Sequence, residues 1–135
     1  MAREIRFQFE QFTSSIFPII YRPVIRVHLK SKKGIWIPAR GIVDTGADYT
    51  LLPKWYAQKL GIDLKKDCVV QKSMGIGGEE KSYVYLNAKV KVGNFTRIIP
   101  VGFLDREDIP PLFGRQGLLE TFELIFKNHE TIFKE

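Results

Sequence analysis

The sequence predicts an all-β (mainly β) domain, barrel-like or a sandwich, with one short helix. Three observations carry this. Apolar and polar residues alternate over much of the chain, the two-residue period of half-buried strands. Ten Phe, five Tyr and two Trp give an aromatic content that suits a pleated surface better than a helix. Turn signals recur at close spacing, and long Ala/Leu/Glu/Lys stretches are absent.

Ile5, Phe7 and Phe9 alternate with Arg6 and Gln8 and predict an N-terminal strand within an extension over residues 1–20. Thr13-Ser14-Ser15 and Pro18 read as a loop. Val24–Leu29 is a strand, Ser31-Lys32-Lys33-Gly34 a turn, and Ile35-Trp36-Ile37 the start of the returning strand. Ile42-Val43 continues the sheet after Pro38 and Gly41, as the second arm of a hairpin. Pro53–Leu60 is the helix, with Pro53 at its first position and Gly61 just past its end. A hairpin follows over about residues 68–85, turning at Gly75-Ile76-Gly77-Gly78. From Tyr83 to Val92 the pattern puts Val84, Leu86, Ala88, Val90 and Val92 on one face. Arg97–Leu104 is a further strand, Asp105–Pro111 a loop and Leu112-Phe113 a short apolar pair. Gly117–Thr121 is a turn of helix, and Phe122–Phe126 and Thr131–Phe133 close the chain as a hairpin.

A length of 135 residues fits one domain, 1–135. The composition, 44% hydrophobic and 27% charged, is that of a soluble globular protein. Cys68 stands alone, so no internal disulfide forms and a buried or idle thiol is expected. Charges near the start are mixed in sign, and Ile16–Ile20 is short and broken by Pro18, unlike an export signal. No apolar run reaches the ~18 residues of a membrane span. A cytoplasmic protein with no membrane partner is the expectation. The net charge of +6 raises nucleic-acid binding. Basic residues are dispersed along the sequence and interleaved with acids, so solvated surface is favoured and no nucleic-acid partner is expected. His28 and His129 have no metal-ligand spacing, so neither metal nor cofactor is expected.

The segment with chemical promise is Ile42-Val43-Asp44-Thr45-Gly46-Ala47-Asp48. Two apolar residues bring a buried strand up to a carboxylate, and small residues then let the chain turn tightly. A strand-end loop is where a rigid scaffold aims an acid. On the tripeptide alone, an aspartate that merely caps a turn is an equally good reading.

The segment resembles the active-site loop of retropepsin-like, single-domain aspartic proteases, in which two hydrophobic residues precede Asp-Thr/Ser-Gly-Ala/Ser. Leu112-Phe113-Gly114 is similar to that family's second signature, two apolar residues and a glycine late in the domain. Arg115 follows the glycine and Asp48 the alanine, as in the retroviral branch, which implies an Asp48–Arg115 ion pair. Gly75-Ile76-Gly77-Gly78 resembles the flap that covers bound peptide. The resemblance spans about Tyr21 to Phe126.

It implies a closed, barrel-like acid-protease fold with a flap hairpin and an endopeptidase without cofactor. It further implies that Asp44, Thr45 and Gly46 form the catalytic loop and that Ala47, Asp48, Ile76, Gly77 and Gly78 contact substrate. Aspartic-protease chemistry needs two carboxylates sharing a proton, and this chain has one Asp-Thr-Gly. The resemblance therefore implies a homodimer, with water activated between two symmetry-related Asp44 side chains and Thr45 reaching across the axis. Ile5–Phe9 and Phe122–Phe133 are the candidate interface strands. Tyr49, Gln116, Glu79 and Glu80 depart from the family's usual residues. The alternatives are a catalytically inactive peptide-binding or dimerisation module on the same fold, and a small basic nucleic-acid-binding barrel.

Overall fold

The computed structural model describes residues 3–75 and 78–135. Its strands are β1 (Glu4–Gln8), β2 (Glu10–Phe12), β3 (Ile20–Arg22), β4 (Val24–Lys30), β5 (Trp36–Val43) and β6 (Thr50–Pro53). Helix α1 (Trp55–Leu60) separates these from β7 (Val69–Gly75), β8 (Gly78–Val92), β9 (Phe95–Leu104) and β10 (Leu112–Phe113). A 3-10 turn at Leu119–Thr121 leads to β11 (Glu123–Lys127) and β12 (Glu130–Lys134).

The main sheet runs β4-β5-β10-β6-β9-β8-β7, and β4 pairs also with β8. That extra pairing closes a ring and leaves β7 outside it, hanging from β8 as a hairpin. The fold is mainly β, as the alternation predicts. Closure leaves β4 and β8 without a bare edge where they meet, the usual remedy for exposed strand edges.

The β4–β5 turn places Gly34 at φ +85°, a conformation that favours glycine. Strand β5 then runs through Pro38 and Gly41 to Val43, the second hairpin arm that the sequence predicts. Pro38 faces outward opposite His28. Gly41 is required by proximity: a Cβ there would strike the carbonyl of Pro111, which accepts the Ile42 N–H at 2.9 Å.

Helix α1 is shorter than predicted. Pro53 ends β6, and Lys54 is the N-cap. The C-terminal end is as the glycine signal predicts. Gly61 is left-handed at φ +71°, its N–H bonds to Gln58 O, and Ile62 N–H bonds to Ala57 O, the paired closure of a Schellman motif.

The single-face reading of Val84–Val92 is corrected. The β8–β9 register slips between Tyr85 and Ala88, a bulge, and Leu86 is 57% exposed while Val84, Ala88, Val90 and Val92 are buried. The core gathers Phe103, Phe113 and Phe133 with Ile25, Leu29, Leu52 and Leu118. Each such buried side chain contributes roughly 1.5–3 kcal/mol, so Phe113 anchors the segment beside Asp44 firmly.

Strands β1, β12 and β11 form a separate sheet with β12 in the middle. The two candidate interface segments thus pair with each other inside one chain, Ile5 opposite Phe133 and Phe7 opposite Thr131. Asn128 and His129 make a left-handed two-residue turn between β11 and β12 (φ 51° and 59°). Thr13-Ser14-Ser15 and Pro18 lie in a loop, as expected, and the residues on either side of it, which the sequence does not mark as strands, form the antiparallel pair β2–β3. Tyr21 stacks on His129 at 4.1 Å and fixes this arm against the turn.

Candidate active site

Asp44 follows directly on the last residue of β5. Two chains of backbone hold it. Strand β10 threads between β5 and β6, parallel to the first (Phe113 opposite Val43) and antiparallel to the second (Leu112 opposite Leu51). The Asp44 N–H consequently donates to Phe113 O at 2.9 Å. On the other side, Asp44 Oδ1 accepts the Gly46 N–H at 3.0 Å, and Ala47 N–H returns to Asp44 O at 3.2 Å. The carboxyl is thereby oriented, with Asp44 half-buried and Thr45 and Gly46 exposed.

The segment after β10 clamps the far side of the loop. Arg115 N–H donates to Ala47 O at 3.1 Å and Gln116 N–H to Asp48 O at 2.8 Å. The Arg115 guanidinium donates from Nη1 to Thr45 O at 2.7 Å and from Nη2 to Asp48 Oδ1 at 2.8 Å. Gly114 N–H reaches the Thr50 hydroxyl, fully buried, at 3.2 Å. No side chain fits at Gly114, because a Cβ would lie 2.5 Å from the Tyr49 carbonyl and 2.9 Å from Ala47 O.

Tyr49 is a residue whose role the sequence does not reveal. Its hydroxyl lies 3.1 Å from Gln71 Oε1 on β7 and 3.1 Å from the Ser82 hydroxyl on β8. It therefore ties the Asp44 loop to the base of the β7–β8 hairpin. That hairpin is antiparallel from Val69 opposite Val84 to Gly75 opposite Gly78. Of the expected contacts on it, Gly78 starts β8, and Ile76 and Gly77 lie outside the described residues. Ala47 is half-buried, and the Asp48 side chain is 81% exposed.

A cavity of about 560 Å³ opens beside the loop, bordered by Asp48, Tyr49, Gln71, Leu86 and Arg115. The bulge in β8 is what turns Leu86 outward onto its rim. Among the described residues, no three His, Cys, Asp or Glu side chains are grouped to hold a metal ion. Also among them, no helix is long and apolar enough to cross a membrane.

Residues 31–118 match the family described as aspartyl protease, which spans both the Asp44 loop and the Gly114-Arg115 segment. The chain belongs to the aspartyl protease family. Among solved structures, a retropepsin-like aspartic protease from Rickettsia conorii superposes with a TM-score of 0.68 at 24% sequence identity. The match covers 99% of this chain and 92% of that one. The chain is thus similar in fold to a retropepsin-like protease over nearly its whole length, β1 and β12 included. No curated protein matches it. Family membership supports a peptidase, and the Asp44 loop is the part of this family member built to present an acid.

Proposed function

We propose that the protein is an aspartic endopeptidase that works as a homodimer, each copy contributing Asp44. The observation that carries this is a carboxylate braced at the end of a buried strand beside an exposed edge. Asp44 is fixed by Phe113 O and Gly46 N–H, the exposed Thr45 and Gly46 follow it, and the sequence holds one Asp-Thr-Gly. A two-fold axis beside Thr45 would supply the second acid from an identical surface.

In this reading one carboxylate of the pair is ionised and the other protonated, because two charges so close cannot both persist. The ionised member takes a proton from water as its oxygen attacks the peptide carbonyl. The protonated member gives a hydrogen bond, then its proton, to the carbonyl oxygen. The resulting diol collapses as the C–N bond breaks: one carboxyl protonates the leaving nitrogen, the other carboxylate takes the proton of a diol hydroxyl, and the pair returns to its singly protonated state. The two copies of Asp44 titrate jointly, so neither has a fixed role. Extended peptide would lie between this floor and the β7–β8 hairpins as an added strand. The cavity at Tyr49 and Leu86 would receive a substrate side chain.

The test is peptide-library cleavage by wild type and Asp44→Asn, with sedimentation analysis of both. The expected result is a bell-shaped pH profile for wild type, no turnover for the variant and a dimer for each. Specific activity should fall on dilution as dimers dissociate. Equal cleavage by the Asn variant, or activity from a species that stays monomeric, would overturn the proposal.

A further inference from the structure

The outer face of the β4–β5 hairpin gathers basic residues that are scattered in sequence. Strand β4 buries Val27 and Leu29, so Arg26, His28 and Lys30 point outward. Strand β5 buries Ala39, leaving Trp36, Pro38 and Arg40 on the same face. On β8, Val90 and Val92 are buried, and Lys89 and Lys91 point out. The register aligns these side chains. Arg26 is directly opposite Arg40, Lys30 is opposite Trp36, and His28 lies between Pro38 and Lys91. The Trp36 ring carries Lys91 Nζ 4.4 Å and Lys30 Nζ 5.7 Å from its centre.

Acids are missing from the strands that build this face. No Asp or Glu occurs between Glu10 and Asp44, nor between Glu80 and Asp105. The dispersal along the chain that argues for plain solvated surface is undone by the fold. Like charges directly opposite across strands are destabilising. Glu10 relieves Arg40 by an ion pair. Arg26 has no hydrogen-bond, ion-pair or ring partner among the described residues. Beside it runs a trough of about 440 Å³, lined by Ile5 and Phe7 of β1, by Arg26, His28 and Lys91, and by the paired Glu10 and Arg40.

We propose that this trough is a binding site for single-stranded nucleic acid. A line of cations in which Glu10 offsets only Arg40 calls for a polyanion. Two features select among polyanions. The trough has a wall, so it takes a strand and excludes a planar lipid surface or a duplex. On the same outer face, just beyond the trough, Trp36 among its lysines offers an aromatic platform on which a base stacks, a contact an acidic peptide does not need. This site is independent of the Asp44 chemistry.

The test is fluorescence anisotropy of a labelled oligothymidylate of about twenty nucleotides, longer than a typical single-strand site, titrated with the full-length protein. The expected affinity falls steeply with salt, as counterion release requires. The double variant Arg26→Glu/Lys91→Glu should weaken binding about tenfold or more, as the loss of phosphate contacts predicts. Lys65→Glu/Lys66→Glu, an equal change in net charge elsewhere, should change it by less than about twofold if non-specific charge is minor. In a Trp55→Phe background, bound oligonucleotide should quench the emission of Trp36. Asp44→Asn should bind as wild type does. Absence of binding, equal losses in the two double variants, or equal competition per charge by polyglutamate or phosphatidylserine vesicles would overturn the proposal. Should the Arg26/Lys91 variant fail to fold, Arg26→Gln carries the same comparison.

Discussion

Arg115 Nη2 meets Asp48 Oδ1 at 2.8 Å, joining positions 67 residues apart, while its Nη1 holds the Thr45 carbonyl at 2.7 Å. The two contacts differ in weight. The carboxylate partner is 81% exposed and the arginine 45%, so the ion pair alone is worth at most about 1 kcal/mol. The carbonyl contact fixes the residue next to Asp44. Arg115→Lys, which cannot reach both sites with a planar fork, is expected to lower peptide cleavage about tenfold or more, a small misplacement of the acid being costly. Asp48→Asn should lose less. Steady-state assays with urea unfolding of both variants check this, and unfolding free energies should shift by no more than about 1 kcal/mol.

Gly114→Ala tests the packing beneath the loop. The new methyl would press on backbone at Tyr49 and Ala47, neither of which is a flexible side-chain end. Overpacking of this kind costs about 1–3 kcal/mol, occasionally more. A matching fall in the urea midpoint is expected, with cleavage lost together with stability.

Tyr49→Phe removes one hydroxyl and leaves the buried Ser82 and the exposed Gln71 without it. A net cost of about 0.5–1.5 kcal/mol follows for a lost hydrogen bond. The sharper readout is amide hydrogen exchange. Protection should fall in residues 69–84 and stay constant in β4 and β5. Unchanged exchange in the hairpin would remove Tyr49 as its tether.

The loop after α1 supplies a pH prediction. The Lys32 ammonium, with the Asp63 N–H, holds the Asp67 carboxyl below the usual carboxylate range, and the Lys66 and Lys65 N–H groups do the same for Asp63. Both are more acidic folded than unfolded. Their stabilisation is therefore complete above the ordinary carboxylate range, about pH 4, and drains away as pH falls through the folded values. Melting temperature measured from pH 6 down to 2 should drop in the acid limb. Asp67→Asn should flatten that drop while lowering the plateau at pH 6.

The Asp44 loop was legible because its signals are local: apolar strand, acid, small residues. Gly34 and Gly61 were legible for the same reason, each marking a left-handed turn that its own segment requires. What escaped depends on residues distant in sequence. Leu86 fits a perfect alternation and is displaced by a bulge that the pairing with β9 imposes. Glu10–Phe12 and Ile20–Arg22 are too short to read as strands until they meet. Tyr49 gains its partners from the hairpin some twenty to thirty residues on, and Arg26 faces Arg40 only once β4 and β5 are in register.

The pairing of β1 with β12 sets Glu4 opposite Lys134, with Arg3 hydrogen-bonded to Glu135. Head and tail of the described chain are therefore neighbours on one small sheet, a geometry that tolerates rewiring. A short peptide splicing them, with new ends opened at the exposed Lys32–Gly34 turn, would leave every strand ladder in place. Such a circular permutant would carry its new ends at that turn, where fusion or labelling leaves the β1–β12 sheet untouched.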